Sequence, residues 1–240
     1  MQYLDLERLD ALDEQEFANT KPYPFVNPAG LLTDEGYACL VENEVDVSVM
    51  TPSFGRKRSH GQYSHDRYVL EYQPDLDVVP TAWKEFIAEL HGPHYTRFIR
   101  RMYRCRNFRL NMHWHYAPNG CAVSPHCDAA HKRGSHIFYL NTREDWDPAW
   151  GGATLILDDH GRAKANSAPA FEDFDRIVAG ECIGNYSTLF ERRDRSWHGV
   201  RELKCPDGRL RKVFIVVINQ PILYAGRRAL NWIKNRKNAA

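Results

Sequence analysis

From Asn107 to Tyr116 the chain alternates strictly. Phe108, Leu110, Met112, Trp114 and Tyr116 are apolar or aromatic, while Asn107, Arg109, Asn111, His113 and His115 are polar. Residues two apart on an extended backbone share a face, so this period predicts a strand with one face buried. Shorter runs at Ser135–Asn141, Ala153–Asp158, Ser187–Glu191 and Lys212–Asn219 predict further strands, separated by Gly, Pro, Asn and Asp clusters. Several short strands with turn signals and little helix between them predict a closed or double-sheet β core over 107–220.

The stretch before this core has a different rhythm. Leu4, Leu6, Leu9 and Leu12 fall near helical spacing and predict a helix over 3–17. Pro22, Pro24 and Pro28 then force an extended segment. Thr33 has the chemistry of an N-cap and opens a helix from Asp34 to Glu44. Residues 51–66 are polar and predict an exposed loop; Arg56, Lys57, Arg58, His60 and His65 make it a candidate lid over an anionic or peptide substrate. A helix follows Pro80-Thr81 and ends at Gly92-Pro93, and a third, basic on one side, runs from Tyr95 to Arg104. The tail, 221–240, reads as a basic amphipathic helix docked on the core. The whole chain reads as one domain: 1–106 mostly helical support and substrate loop, 107–220 the β core, then the C-terminal helix. In class it is mainly β with flanking helices (α+β).

Charge and cysteine content narrow the partners. The 240 residues carry a net charge of +1, which supplies no strong pull toward nucleic acid or an anionic membrane. The tail cations Arg227, Arg228, Lys234, Arg236 and Lys237 read as a solvated face. The six cysteines form no C-x-x-C pair, and the N-terminus lacks the basic and apolar regions of a secretion signal. Both features point to reduced thiols and a cytoplasmic protein.

The sharpest chemical feature is Pro125-His126-Cys127-Asp128, followed far downstream by Ser196-Trp197-His198-Gly199-Val200. His126 and Asp128 project to one face of an extended backbone, so both reach one ion with little distortion. His198 from another strand completes two imidazoles and one carboxylate, which leaves coordination positions open as non-haem Fe(II) oxygenases require. A dicarboxylic cosubstrate chelating that iron leaves a second carboxylate buried, and a buried carboxylate needs a guanidinium. Arg211, beside the apolar run of the last strand, is the first candidate, and Arg209, two residues earlier and expected on the same side, is the second.

These residues resemble the prolyl 4-hydroxylase-like branch of the 2-oxoglutarate/Fe(II)-dependent oxygenase superfamily. The resemblance runs from Tyr116 to Asn219 through four ordered segments: Tyr116-Ala117-Pro118-Asn119-Gly120; His126-Cys127-Asp128; Phe138-Tyr139-Leu140-Asn141 with Asp145-Trp146-Asp147 and Gly151-Gly152; and Ser196-Trp197-His198-Gly199-Val200 with Arg211. It implies a double-stranded β-helix (jelly-roll, cupin-like) core. It also implies Fe(II) on His126, Asp128 and His198, with 2-oxoglutarate and O2 as cosubstrates. Arg211 and Tyr139 would take the far carboxylate of 2-oxoglutarate, and Tyr116 would stand near the iron and the substrate mouth. The implied reaction hydroxylates an unactivated C–H bond and releases succinate and CO2; the full carboxylate at Asp128 favours hydroxylation over halogenation. Two departures stand out: a Cys205-Pro206-Asp207-Gly208 turn lengthens the path to Arg211, and Val217 replaces a late aromatic residue.

The substrate is expected to be a peptidyl or free amino acid, or else a small metabolite or sugar intermediate. Two competing readings are a cupin-type metalloenzyme using His113 and His115, which lacks the expected following glutamate, and a non-catalytic barrel module, which would predict lost ligands.

Overall fold

The computed structural model describes residues 1–63 and 65–226. In chain order the elements are α1 (Leu6–Ala11), α2 (Glu14–Asn19), β1 (Phe25–Val26), α3 (Asp34–Glu42), β2 (Thr51–Ser53), β3 (Arg67–Glu71), α4 (Thr81–His91), α5 (Pro93–Met102), β4 (Arg109–Ala117), β5 (Val123–His126), β6 (Lys132–Tyr139), β7 (Leu155–Asp158), β8 (Arg176–Ala179), β9 (Ser187–Glu191), β10 (His198–Val200) and β11 (Arg211–Asn219). The strands form two antiparallel sheets, a seven-stranded one in the order β1-β9-β6-β11-β4-β3-β2 and a four-stranded one in the order β5-β10-β7-β8.

Alternation assigns the faces of the larger sheet. Along β11, Phe214, Val216 and Ile218 point outward with Met112, Trp114 and Tyr116 of β4, into one large apolar cluster shared with the helices. Helices α4 and α5 offer Trp83, Phe86, Ile87, Leu90 and Tyr95, Phe98, Ile99, Met102, each at i, i+3, i+4, i+7 spacing. Trp83 meets Trp114 at 5.3 Å and Phe214 at 4.9 Å between ring centroids, and Phe86 meets Phe138 at 5.6 Å. The opposite face looks at the smaller sheet. There Ile137, Tyr139, Phe190 and Val213 of the large sheet form a second cluster with Ile156 and Val200 of the small one. His115 of β4 and Arg67 of β3 also lie on this face, while Glu71 and Arg109 at the strand ends are exposed.

The structure revises several expectations. The helix over 3–17 is two short helices, because Asp13 caps a new one by accepting from the backbone N–H groups of Gln15 and Glu16. Leu4 instead bridges to Leu32. The 51–66 segment is not wholly exposed: residues 51–53 pair with β3, and His65 is buried. The large sheet also recruits β1, β2 and β3 from before residue 107, so the β framework starts earlier than the sequence pattern indicated. Residues 221–226 are helical, while most of the expected C-terminal helix, with Arg227, Arg228, Lys234, Arg236 and Lys237, lies outside the described residues. No helix among the described residues is long and apolar enough to cross a membrane.

Candidate active site

Strands β5 and β10 are paired antiparallel with His126 opposite His198. The two imidazoles therefore meet, with ring centroids 4.3 Å apart. Gly199 permits this approach, since a Cβ there would lie 2.7 Å from the Val123 carbonyl oxygen and 3.0 Å from the Phe171 ring. Asp128, just beyond β5, turns its carboxylate to the same point. One donor atom from each of His126, Asp128 and His198 lies within 4.8 Å of the others, and all three residues are buried.

Both histidines are oriented by the same local device. His126 Nδ1 lies 3.0 Å from the Ser124 carbonyl oxygen, and His198 Nδ1 lies 2.9 Å from that of Ser196. A carbonyl only accepts, so each Nδ1 carries the proton and each Nε2 presents a lone pair. Burial holds both imidazoles below their usual pKa and hence neutral, as metal ligation requires. Burial alone would push the Asp128 carboxyl up, but the Lys132 ammonium, close and hydrogen-bonded to it, outweighs burial and holds the group well below the usual carboxylate range. Lys132 Nζ donates to Asp128 Oδ1 at 2.6 Å, and Ser135 Oγ stands 3.5 Å from Oδ2. Two neutral nitrogens and an ionised carboxylate make a donor set that fits Fe(II).

Arg211 opens β11 on the interior face. Its guanidinium is buried, donates from Nε to the Gly152 carbonyl oxygen at 2.6 Å, and lies over the Tyr139 ring. Gly152 has φ +103°, and a Cβ there would press on the Arg211 side chain at 3.3 Å, so this glycine makes room for the cation. Tyr139 in turn bonds Thr188 through its hydroxyl at 3.0 Å. Burial lowers the Arg211 pKa, and no carboxylate among the described residues pairs with it. An unpaired buried guanidinium implies an anionic ligand.

Two expected site residues lie elsewhere. Arg209 is exposed in the 206–209 turn, because β11 begins only at Arg211 and the two-residue period does not extend back into the turn. Tyr116 sits on the outward face of β4 in the helix-facing cluster, since it shares the period of Trp114 rather than that of His115. His113 and His115 do line the interior, with rings 5.8 Å apart, but no third metal-capable donor joins them among the described residues, which removes the cupin arrangement.

One residue beside the cluster escaped the pattern analysis as a site residue. His65, at the end of the polar segment, packs its ring 4.7 Å from that of His126 and lies 3.1 Å through Nε2 from Ser124 Oγ. Burial, then Arg58 and Arg67, push its pKa down to about 3. Only its polar context marked it, and that context also suits a solvated loop.

Residues 111–217 match the family model of the 2OG-Fe(II) oxygenase superfamily. Among curated proteins no significant sequence match is found. Three solved structures share the fold. A Pseudomonas putida prolyl-4-hydroxylase superposes with TM-score 0.62 at 16% identity, covering 88% of this chain and 98% of that one. A Trichoplax adhaerens prolyl hydroxylase in complex with a hypoxia inducible factor peptide fragment gives TM-score 0.58 at 16% identity, covering 89% and 90%. SnoN, a non-heme alpha ketoglutarate dependent epimerase from nogalamycin biosynthesis, gives 0.57 at 15% identity, covering 90% and 83%. The two facing sheets are the double-stranded β-helix of this superfamily, whose cofactor set is Fe(II), 2-oxoglutarate and O2. Over residues 111–217 the chain thus matches the 2-oxoglutarate/Fe(II)-dependent oxygenases, a superfamily of dioxygenases, and as a whole it carries the fold of the prolyl 4-hydroxylases.

Proposed function

We propose that the protein hydroxylates an unactivated C–H bond of an amino acid, free or within a peptide, and releases succinate and CO2 as co-products. The observation that carries the reading is the convergence of His126, Asp128 and His198 with both Nδ1 atoms turned away to backbone carbonyls. In it these three residues hold Fe(II), and bound iron supplies the oxidising chemistry. Arg211, steadied by Gly152 and Tyr139, takes the far carboxylate of 2-oxoglutarate and so fixes which end meets the metal. Lys132 holds Asp128 ionised and in place. The large sheet, the 54–63 segment and the buried His65 exclude water from the reacting atoms.

In this proposal the whole chain acts as one unit, with the helices bracing the large sheet from outside. All six cysteines are unpaired, which supports a reducing compartment such as the cytoplasm. Small metabolites are a second substrate class. One relative by fold was solved with a peptide fragment and another is a biosynthetic epimerase, so the choice falls to the residues at the mouth.

Mixing the protein with Fe(II) and 2-oxoglutarate under anaerobic conditions should produce a weak visible charge-transfer band, and Asp128→Ala should abolish it. A wild-type protein that shows no band, and forms no succinate in air with any candidate substrate, overturns the reading.

A further inference from the structure

The interior face of β3 carries a charge that the oxygenase reading does not use. Tyr68 and Leu70 of that strand pack outward with the helix-facing cluster, so alternation turns Arg67 inward. Register confirms the face, since Val69 pairs with His115 and Glu71 with His113. The Arg67 guanidinium is largely withdrawn from water, and its Nε is buried without a hydrogen-bond partner; one terminal nitrogen donates to the His65 carbonyl oxygen. Arg58 stands close enough to oppose the Arg67 charge. It also reaches Asp128 and His198 electrostatically, and Arg67 holds the carbonyl of His65, whose ring lies 4.7 Å from that of His126, so both arginines stand beside the metal cluster.

Among the described residues nothing neutralises this pair fully. Asp66 attracts Arg67, but its carboxylate accepts from Gly55 N–H at 2.8 Å. Glu71 is exposed and accepts from Asn111, and Asp128 is held by Lys132. Neither Arg58 nor Arg67 forms an ion pair within the described residues; Arg58 has only Gln62, at 3.3 Å from its Nε. Two like charges brought together and partly dried cost free energy unless an anion joins them. The segment that brings Arg58 in is fastened across the mouth, with Gln62 donating to the Ser167 carbonyl oxygen at 3.2 Å and His65 set against Ser124.

We infer that the substrate carries a free carboxylate, gripped by Arg58 and Arg67 beneath the 54–63 segment while its C–H bond faces the metal cluster. The inference rests on the oxygenase reading and sharpens it. It favours a free amino acid or other carboxylic acid over a residue inside a peptide, whose carbonyl is an uncharged amide.

The test uses the full chain with Fe(II) and 2-oxoglutarate under anaerobic conditions, so that Arg211 is already occupied. Thermal unfolding is followed with a panel of amino acids and N-acetylamino acids, their carboxamides, and acetylated, amidated tripeptides. At least one carboxylate should raise Tm, and its carboxamide should need at least about tenfold more for the same shift, because a charge-assisted bidentate contact is lost. Arg58→Met and Arg67→Met should erase the preference, whereas Arg67→Lys, which keeps the charge, should retain part of it and guard against simple misfolding. Carboxamides or amidated peptides acting as well as carboxylates, a preference that survives both Met substitutions, or no response to any member of the panel would each overturn the inference. The charge-transfer band, read on the same samples, reports iron and 2-oxoglutarate separately. If the band is missing while the carboxylate preference persists, the oxygenase reading fails and the anion slot stands.

Discussion

The guanidinium of Arg211 lies over the ring of Tyr139, with its central carbon 5.8 Å from the ring centroid. The ring face attracts the cation and restricts its plane, while the Nε bond to Gly152 sets its direction. The terminal nitrogens bond nothing among the described residues, which leaves them available to a carboxylate. Exposed Arg209 has no such arrangement.

Arg211→Met should therefore weaken 2-oxoglutarate binding by about 1.5–3 kcal/mol, roughly tenfold to a hundredfold, as expected for loss of charge-assisted hydrogen bonds. Arg209→Ala should leave it unchanged. Titrating the charge-transfer band with 2-oxoglutarate reads both; equal effects from the two variants would remove Arg211 from the role.

Gly134 of β6 lies against β9 so closely that a Cβ would sit 2.1 Å from the Phe190 carbonyl oxygen and 2.6 Å from the Tyr103 ring. That carbonyl also accepts the Tyr103 hydroxyl at 2.9 Å. Gly134→Ala must push β9 away or break that bond. It should cost about 1–3 kcal/mol, the usual range for overpacking, in the urea unfolding midpoint. An unchanged midpoint would mean that this strand contact is looser than described.

His136 sits opposite Val216 on the outward face of β6, turned away from the metal cluster, with Nδ1 3.0 Å from the Tyr95 hydroxyl. Burial pushes its pKa down to about 3 from an ordinary 6.5. The folded state thus binds fewer protons than the unfolded one between those values. The stability it allows is complete above pH 6.5 and is lost as pH falls toward 3. Between pH 6.5 and 5 this one residue should remove about 2 kcal/mol. Other buried histidines titrate in the same window, so the comparison is with His136→Gln, whose unfolding free energy should fall less steeply with acid by about one proton. Identical slopes would show that His136 is protonated inside the fold or exposed.

The sequence revealed most where one physical rule acted alone. β4 and β11 are long and lie inside the large sheet; β4 keeps a strict two-residue period, so its faces were readable before its partners were known, and β11 is an unbroken apolar run, readable as a strand but not as to its faces. β5 was hidden because Pro125 interrupts it. A proline is tolerated there since β5 is an edge strand and loses no ladder bond. β10 has three residues, too few to show a period, and its identity as a strand comes from being flanked by β5 and β7. Within the candidate site, the pattern H-x-D with a later histidine gave residues that the fold brings to one point. Tyr116 went astray because a family likeness carried it while its own alternation, shared with Trp114, already placed it outward. His65 and Arg67 could not be found from spacing, because what qualifies them is desolvation by a chain segment folded across from elsewhere.

The repeated tie from an imidazole back to the carbonyl two residues earlier has a consequence for metal exchange. Each ring is locked by its own strand rather than by the ion, so emptying the centre leaves its nitrogens facing the same point, already deprotonated and waiting. Iron removed by a chelator should then return without refolding and with little proton release, and scarcity of the metal would silence the enzyme without exposing it to unfolding.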